Sequence, residues 1–381
     1  MREKMKTLPI PVTILVAVGV MVGFVCILTG LGSLIGLIPN LDKASPYMGQ
    51  MRCEILLSIY GAGLICFFGQ TDILKSKGEG WLKSIYIAGF FVGYIFYDFV
   101  AQLFVQAMQP EHELQPFVSV AVFTITMLLV GFAEEIVFRG VILNLFLDRF
   151  PNTKGGIVAA IIADGICFGG LHLINLLSGA NPVSVILQVI TAGFMGATFA
   201  ALYVRTRNIW VCMLAHGLID FATLFWGTLY QGTDLVGGIN NISWINLIAI
   251  PVFLVPILIL LRKSKLQEAV KIAGGETVDS AETDALPVAI VSLIMGIASI
   301  VSGCVGYFIG LGVVGLLGSI LSLRYKKEGN KLAQAARIVS IVGIVVNVIG
   351  IILMVAVELP MVGSMDMEDV MQQFQELQNM Q

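Results

Sequence analysis

The sequence predicts an all-α fold, a polytopic bundle of transmembrane helices. Of the 381 residues, 57% are hydrophobic and only 12% are charged, and the mean hydropathy is +0.92, whereas a soluble domain carries about 25% charged residues. Apolar runs long enough to span a bilayer recur along the chain. The net charge of −3 gives no reason to expect a nucleic-acid partner, so the lipid bilayer is the expected environment.

Eleven apolar runs predict eleven helices, eight in a core and three near the C-terminus. They lie at about 9–38, 54–70, 84–108, 117–138, 155–177, 183–204, 209–230, 244–261, 286–303, 305–323 and 336–358. The basic residues cluster after every second run, which under the positive-inside rule places these clusters in the cytoplasm. We therefore expect a multi-pass protein of the cell membrane, with its N-terminus in the cytoplasm and its C-terminus outside.

Changes in composition predict the domain organisation. Residues 1–261 form the expected core, and a basic stretch followed by glycines and acidic residues at 262–285 predicts a cytoplasmic linker. Residues 286–358 predict a Gly-rich transmembrane module suited to close helix packing and to binding another membrane protein. Its range 286–323 is compatible with two spans or with one re-entrant hairpin. Residues 359–381 predict an acidic amphipathic tail.

Three ionised residues stand inside one of the apolar runs. A charge at the bilayer centre costs about 2.5–3.5 kcal/mol, so such residues usually face the bundle interior and mark function. Glu135 and Arg139 are four residues apart and share one helix face, whereas Glu134 points about 100° away and keeps its carboxylate free. The alternative interpretation is an ion-pair cluster that only holds helices together.

Two histidines also lie within predicted spans. His216 and Asp220 are four residues apart, so that the carboxylate can fix the tautomer of the ring. His172 shares a helical stripe with Phe168 and Asp164, and Asn175 lies one turn beyond. Counted from the turn at 151–154, Glu134 and His172 reach the same depth in the membrane. For each histidine alone, the alternative is a hydrogen-bonded core residue.

A carboxylate with two imidazoles in a dry site predicts hydrolysis. In one arrangement the carboxylate acts as general base towards water and a histidine stabilises an oxyanion. In the other, Glu134, His172 and His216 hold a zinc ion that activates the water, and the sequence does not decide between the two. Neither a serine-hydrolase elbow, nor HExxH, nor a nucleotide-binding Gly-rich loop occurs.

Three ordered motifs carry a resemblance to a known family. Glu134-Glu135-x-x-x-Arg139, Phe168-x-x-x-His172 and His216-x-x-x-Asp220 resemble the motifs of the CAAX protease and bacteriocin-processing (CPBP, or Abi) family of intramembrane endopeptidases, over about 117–230. The resemblance implies cleavage of a membrane-associated peptide or protein. It assigns water activation to Glu134 and His172, and oxyanion stabilisation to His216 with Asp220.

The resemblance leaves the cofactor and the substrate open. Members of the family have been described both as metal-dependent and as glutamate-type enzymes. Asp220 stands where the eukaryotic prenyl-protein endopeptidases carry asparagine, which argues against a prenylated substrate. Residues 286–358 resemble small Gly-rich membrane domains appended to proteins of Gram-positive bacteria, a likeness that assigns no function.

Two other classes of function are compatible with such a cluster. The first is a non-proteolytic protein that retains the fold, such as a bacteriocin-immunity or scaffold protein. The second is a proton-coupled transporter that uses Glu134, His172 and Asp164 as a relay. A transporter of this kind usually has repeated halves with broken helices, and the sequence has no such internal symmetry.

Overall fold

The computed structural model describes residues 5–31, 45–75, 80–107, 115–228, 242, 244–273, 281–301, 303, 309–325 and 330–358. Within these ranges every regular element is a helix, which confirms the predicted all-α class. The α-helices are α1 (Ile10–Cys26), α2 (Met48–Phe68), α3 (Gly80–Ile87), α4 (Gly89–Ala107), α5 (Phe117–Val137), α6 (Leu143–Arg149), α7 (Lys154–Leu171), α8 (Pro182–Thr206), α9 (Ile209–Thr228), α10 (Ala249–Leu260), α11 (Lys263–Ala273), α12 (Ala281–Val301), α13 (Ile309–Tyr325) and α14 (Lys331–Leu353).

Seven of the described helical segments are long and apolar enough to cross a membrane. An eighth span results if α3 and α4, which meet at a bend of 59°, are counted as one. Three of the predicted runs form shorter apolar helices, Ile250–Leu260, Ala285–Val301 and Ile309–Tyr325. The protein is a multi-pass membrane protein: among the described residues, eight spans, counting the bent pair as one, and these three shorter apolar helices lie at the eleven predicted runs.

The chain divides into two compact units. Unit 1 comprises residues 1–90, 115–221 and 232–281, and unit 2 comprises residues 91–114, 222–231 and 282–381. Helix α11 occupies most of the described part of the segment that was expected to be a linker. The predicted tail at 359–381 and the connection at 304–307 lie outside the described residues.

A π-helical turn interrupts the long helix that begins at Phe117. It spans Phe138–Ile142, between α5 and α6, and such insertions are frequent at functional sites. The Nδ2 of Asn144 donates to the carbonyl oxygens of Arg139 (2.7 Å) and Gly140 (3.1 Å). This amide therefore satisfies backbone acceptors at the point where the regular helical ladder is broken.

The long helix ends where the sequence predicted a turn. Phe150 is extended, and α7 begins at Lys154, with Thr153 as its N-cap accepting from the backbone nitrogen of Gly156 at 3.2 Å. This N-cap satisfies one of the donors that the start of a helix leaves free. The two helices on either side of this turn carry Glu134 and the Phe168–His172 motif.

Two glycines bring α5 and α9 into backbone contact. A Cβ atom at Gly131 would lie 2.5 Å from both the nitrogen of Gly217 and the carbonyl oxygen of Met213, so no larger residue fits between these helices. His216 precedes Gly217, and Glu135 lies one turn after Gly131. The close approach thus places the imidazole against the carboxylate.

Contacts at one end of unit 1 connect segments that are distant in sequence. The donor and acceptor pairs are Arg149 with Leu8, Trp210 with Leu74, Arg205 with Glu268, and Asn152 with Val270. They bring the N-terminal segment, residues 71–75, the turn at 150–153, the 205–210 segment and α11 to the same end. The basic clusters of unit 1 were predicted to share one side of the membrane, and this arrangement is consistent with that prediction.

In unit 2, helices α12, α13 and α14 pack through small residues. A Cβ atom at Gly315 would lie 2.5 Å from the Oγ of Ser340. The Nδ2 of Asn347 donates to the carbonyl oxygens of Ser299 (2.7 Å) and Gly343 (2.8 Å). These contacts are the close helix packing that the Gly-rich composition predicted.

Candidate active site

A fully buried ion-pair group lies at the centre of unit 1. The Nη1 of Arg139 is 2.9 Å from the Oε1 of Glu135, and both side chains are 0% exposed. The Nε of Arg139 lies 3.5 Å from the Oδ2 of Asp164, and its Nη2 donates to the carbonyl oxygen of Gly196 at 2.7 Å. Its guanidinium carbon is 4.6 Å from the centroid of the Phe168 ring. The predicted pair between Glu135 and Arg139 is confirmed, and it extends to α7 and α8.

His216 is held by Glu135 rather than by Asp220 alone. Its Nδ1 lies 2.8 Å from the Oε1 of Glu135, and because an ionised carboxylate only accepts hydrogen bonds, Nδ1 carries the proton. The ring is 2% exposed and stacks on Phe199, with centroids 5.1 Å apart. The prediction that Asp220 orients the ring was therefore incomplete, because spacing within one helix does not reveal a partner on another helix.

The other nitrogen of His216 faces two carboxylates. Its Nε2 lies 3.4 Å from the Oδ2 of Asp220 and 3.8 Å from the Oε2 of Glu134. The side chains of these two acids are 23% and 17% exposed, in contrast to the complete burial of Glu135. The predicted difference between the adjacent glutamates is thus present: Glu135 is enclosed in an ion pair, and Glu134 borders a more open space.

His172 lies at the end of α7 with a defined tautomer. Its Nδ1 is 3.1 Å from the carbonyl oxygen of Phe168, and because a carbonyl only accepts, Nδ1 donates. In the neutral ring Nε2 is then left with a free lone pair. The Phe168 ring lies 5.5 Å from that of His172 and 5.7 Å from that of His216. Phe168 therefore contacts both imidazoles.

Asn175 makes a contact of a different kind. Its Nδ2 donates to the Oε1 of Gln188 at 2.8 Å, which connects the 3-10 turn His172–Leu176 to α8. This hydrogen bond stabilises the segment that follows His172. The structure assigns Asn175 no hydrogen bond with the carboxylates or with the imidazoles.

The alternative of a zinc site fits the described residues poorly. Among them, no group of three or more His, Cys, Asp or Glu side chains is arranged to hold a metal ion. The candidate ligands were Glu134, His172 and His216; the Nδ1 of each histidine is held by a protein acceptor, which leaves each Nε2 open. No step of the chemistry considered below is assigned to a metal.

Glu54 is a residue of this site that the sequence did not single out. It lies on α2, is 5% exposed, and its Oε2 has no hydrogen-bond partner among the described residues. It is close enough for charge–charge interaction with Glu134, Asp220 and His216. In the sequence Glu54 stands at the edge of an apolar run. A charged residue near a helix end is common, so its position alone does not indicate a functional site. Only the packing of α2 against α5 brings it to the site.

Comparison with known proteins supports the resemblance read from the motifs. Residues 116–222 match the family model described as type II CAAX prenyl endopeptidase Rce1-like. The match covers all three motifs and confirms similarity to the CAAX protease family over this part of the chain, whereas residues 286–358 lie outside it. Neither the curated proteins nor the solved structures yielded a match.

Proposed function

We propose that unit 1 is an intramembrane endopeptidase that hydrolyses a peptide bond of a membrane-associated protein or peptide with a water molecule activated by Glu134 and His172. The observation that carries this proposal is the pairing of Glu134 with His216. The Glu134 carboxylate faces the Nε2 of an imidazole whose Nδ1 is held by the buried Glu135–Arg139 pair. A base and an oriented imidazole in a dry site are the components of acid–base catalysis.

The reaction begins with proton transfer from water to the Glu134 carboxylate, while the free Nε2 of His172 accepts the second hydrogen bond of the same water. The hydroxide oxygen forms a bond to the carbonyl carbon of the substrate, and the carbonyl oxygen becomes an oxyanion. The Nε2–H of His216, when protonated, donates to this oxyanion, with Asp220 adjacent. When the carbon–nitrogen bond breaks, Glu134 returns its proton to the leaving nitrogen, so that the products are an acid and an amine.

The buried ion-pair group makes the site rigid before substrate arrives. Glu135 accepts from both Arg139 and His216, and Asp164 approaches the same guanidinium. By accepting from the Nδ1 of His216, the Glu135 carboxylate fixes the orientation of the ring and directs its Nε2 towards Glu134 and Asp220. Preorganised charges of this kind stabilise a developing oxyanion without reorganisation during the reaction.

The test is cleavage by purified protein in lipid nanodiscs. A library of membrane-anchored peptides is incubated with wild type, with Glu134→Gln and with Glu268→Gln, a control in the Lys265–Glu268 pair of α11. We expect cleavage by wild type and by the control, and a rate lower by about 10²–10⁴-fold for Glu134→Gln. If folded wild type cleaves no peptide, the non-proteolytic immunity or scaffold alternative is favoured.

The proposal includes an orientation, with the N-terminus in the cytoplasm and the C-terminus outside. It is supported by the basic clusters of unit 1 that share one end. We expect a reporter fused within 265–285 to be cytoplasmic and a reporter fused after Gln381 to be external. Finding both reporters on the same side would contradict this orientation.

A further inference from the structure

The mechanism above gives no role to Glu54, although this carboxylate lies in the site. It is 5% exposed and its Oε2 has no hydrogen-bond partner among the described residues. A buried and unpaired carboxylate is costly in a protein interior, and more so within a membrane. Such a group at a candidate active site calls for a partner that arrives with the substrate.

The helix register places Glu54 beside the reacting groups. The ring of Tyr47, at the start of α2, contacts Phe123 of α5 with centroids 5.3 Å apart. Further along, a Cβ atom at Gly61 would lie 2.2 Å from the Cγ2 of Ile136. The two helices therefore run parallel, so that Glu54 lies level with residues 129–130, about one turn before Glu134.

The same level of α5 is where α9 approaches. The backbone contact between Gly131 and Gly217 brings α9, with His216 and Asp220, to the part of α5 that faces Glu54. The charges of Glu134, Asp220 and His216 all act on Glu54. Glu134 on α5 and Asp220 on α9 thus face the Nε2 of His216, and Glu54 on α2 lies about one turn from Glu134 along the bundle.

Acidic side chains outnumber basic ones in this cluster. Five carboxylates lie in or beside it, against one guanidinium and two imidazoles: Glu54, Glu134, Glu135, Asp164 and Asp220, against Arg139, His172 and His216. Arg139 is engaged by Glu135 and Asp164. His216 is the basic group that faces Glu134 and Asp220, and a cation that enters beside Glu54 would favour the ionised form of its carboxylate.

We propose that Glu54, together with Asp220, forms a subsite for a positively charged group of the substrate, a lysine or arginine side chain next to the scissile bond. The inference rests on the proposed peptidase function and adds a substrate class to it.

The first experiment measures charge selectivity in one membrane-anchored peptide scaffold. Lys, Gln or Glu is placed in turn at the residues flanking the scissile bond, and kcat and KM are determined separately. For wild type we expect kcat/KM for the Lys peptide to exceed that for the Gln peptide by about tenfold or more, the range measured for close buried charge pairs. In Glu54→Gln this ratio should approach one, and in Glu54→Lys the Glu peptide should become the preferred substrate.

Two further variants control for folding. Asp98→Asn alters another buried membrane carboxylate, one that accepts from Thr223 and Gln102 in unit 2, and it should retain the wild-type selectivity. Glu54→Asp keeps the charge and should retain a preference for the Lys peptide. Wild type that cleaves the Lys, Gln and Glu peptides equally well would overturn the inference, whether or not Glu54→Gln folds.

A second measurement separates this inference from the proposed function. Hexylammonium and hexanol serve as probes, and the melting temperature is recorded for wild type, Glu54→Gln and Asp98→Asn. We expect hexylammonium to stabilise wild type and Asp98→Asn more than hexanol does, and this difference to disappear in Glu54→Gln. Stabilisation without any peptide cleavage would support the cation subsite and contradict the peptidase. Cleavage without charge preference or amine stabilisation would contradict only the subsite.

Discussion

The buried polar groups of the site in unit 1 are ionisable, whereas those that join the C-terminal helices of unit 2 are amides and hydroxyls. In unit 1 the Nε of Arg139, the Oε2 of Glu135 and both oxygens of Asp164 are buried without a hydrogen bond among the described residues. In unit 2 the Nδ2 of Asn347 donates to Ser299 and to Gly343. One region concentrates charge, and the other uses neutral hydrogen bonds between closely packed helices.

The two units thus contain two different kinds of buried polar interaction, ion pairs and neutral hydrogen bonds. Neutral hydrogen bonds between helices contribute modestly, about 0.6 kcal/mol on average, and hold close contacts in place. Buried ion pairs contribute little net stability because desolvation offsets their attraction, yet removing one partner is strongly destabilising. Charged residues within membranes therefore usually mark function, so we expect loss of activity to follow changes in the unit 1 site and only small stability changes to follow those in α12–α14.

The largest expected effect separates the two adjacent glutamates. Glu134→Gln should lower the cleavage rate by about 10²–10⁴-fold while the melting temperature stays near wild type, because Glu134 acts as the base and is outside the pair with Arg139. Glu135→Gln should lower both, since it removes the anion that pairs with the Nη1 of Arg139 and the negative charge beside the Nδ1 of His216. Paired cleavage and melting measurements check this, and an active Glu134→Gln would reverse the assignment of roles.

Arg139→Met is expected to be the most destabilising single change in the site. It leaves Glu135 and Asp164 buried without their cation, and breaking a buried pair costs about 3–5 kcal/mol. Arg262→Met, at an exposed arginine whose Nη1 donates to the carbonyl oxygen of Ile259, serves as the control. Unfolding in a detergent series gives the stability difference. Equal stabilities for the two variants would show that the buried ion-pair group does not depend on the Arg139 cation.

Glycine substitutions distinguish packing from chemistry. A Cβ at Gly131 meets backbone atoms at 2.5 Å, one at Gly315 meets Ser340 and Ser292, and one at Gly63 meets nothing within 4 Å. We expect Gly131→Ala and Gly315→Ala each to destabilise by about 1–3 kcal/mol, as overpacking usually does, and Gly63→Ala to be neutral. Among the variants that fold, only Gly131→Ala should lower kcat, because Gly131 lies at the contact between the two helices that carry Glu135 and His216.

The smallest expected effect lies in unit 2. Asn347→Ala removes the hydrogen bonds from Nδ2 to Ser299 and Gly343, so we expect a loss of about 0.6 kcal/mol and wild-type cleavage by the folded fraction. Melting temperature and specific activity are measured on the same preparation. A variant that keeps its stability but loses activity would show that the C-terminal helices take part in the reaction.

Much of the architecture could be predicted because lipid imposes strict patterns on a sequence. Hydropathy identified the spans of unit 1, and the turn before Lys154 was read from Pro151 and its neighbours. Helical spacing gave the pair between Glu135 and Arg139 and the separate direction of Glu134. Hydropathy alone does not reveal where a helix ends, and three of the predicted runs form shorter helices than the others in the part of the chain that the structure describes.

The sequence by itself determined the helical class, the three motifs and the pairs that lie four residues apart, since these depend only on composition and on the 3.6-residue period. Only the tertiary structure decided which carboxylate holds His216 and that Glu54 joins the site. Both depend on the distances between helices, and Gly131, Gly217 and Gly61 set these distances by allowing close approach. Periodicity describes a residue's direction from its own helix, whereas the partner that it meets depends on how neighbouring helices pack.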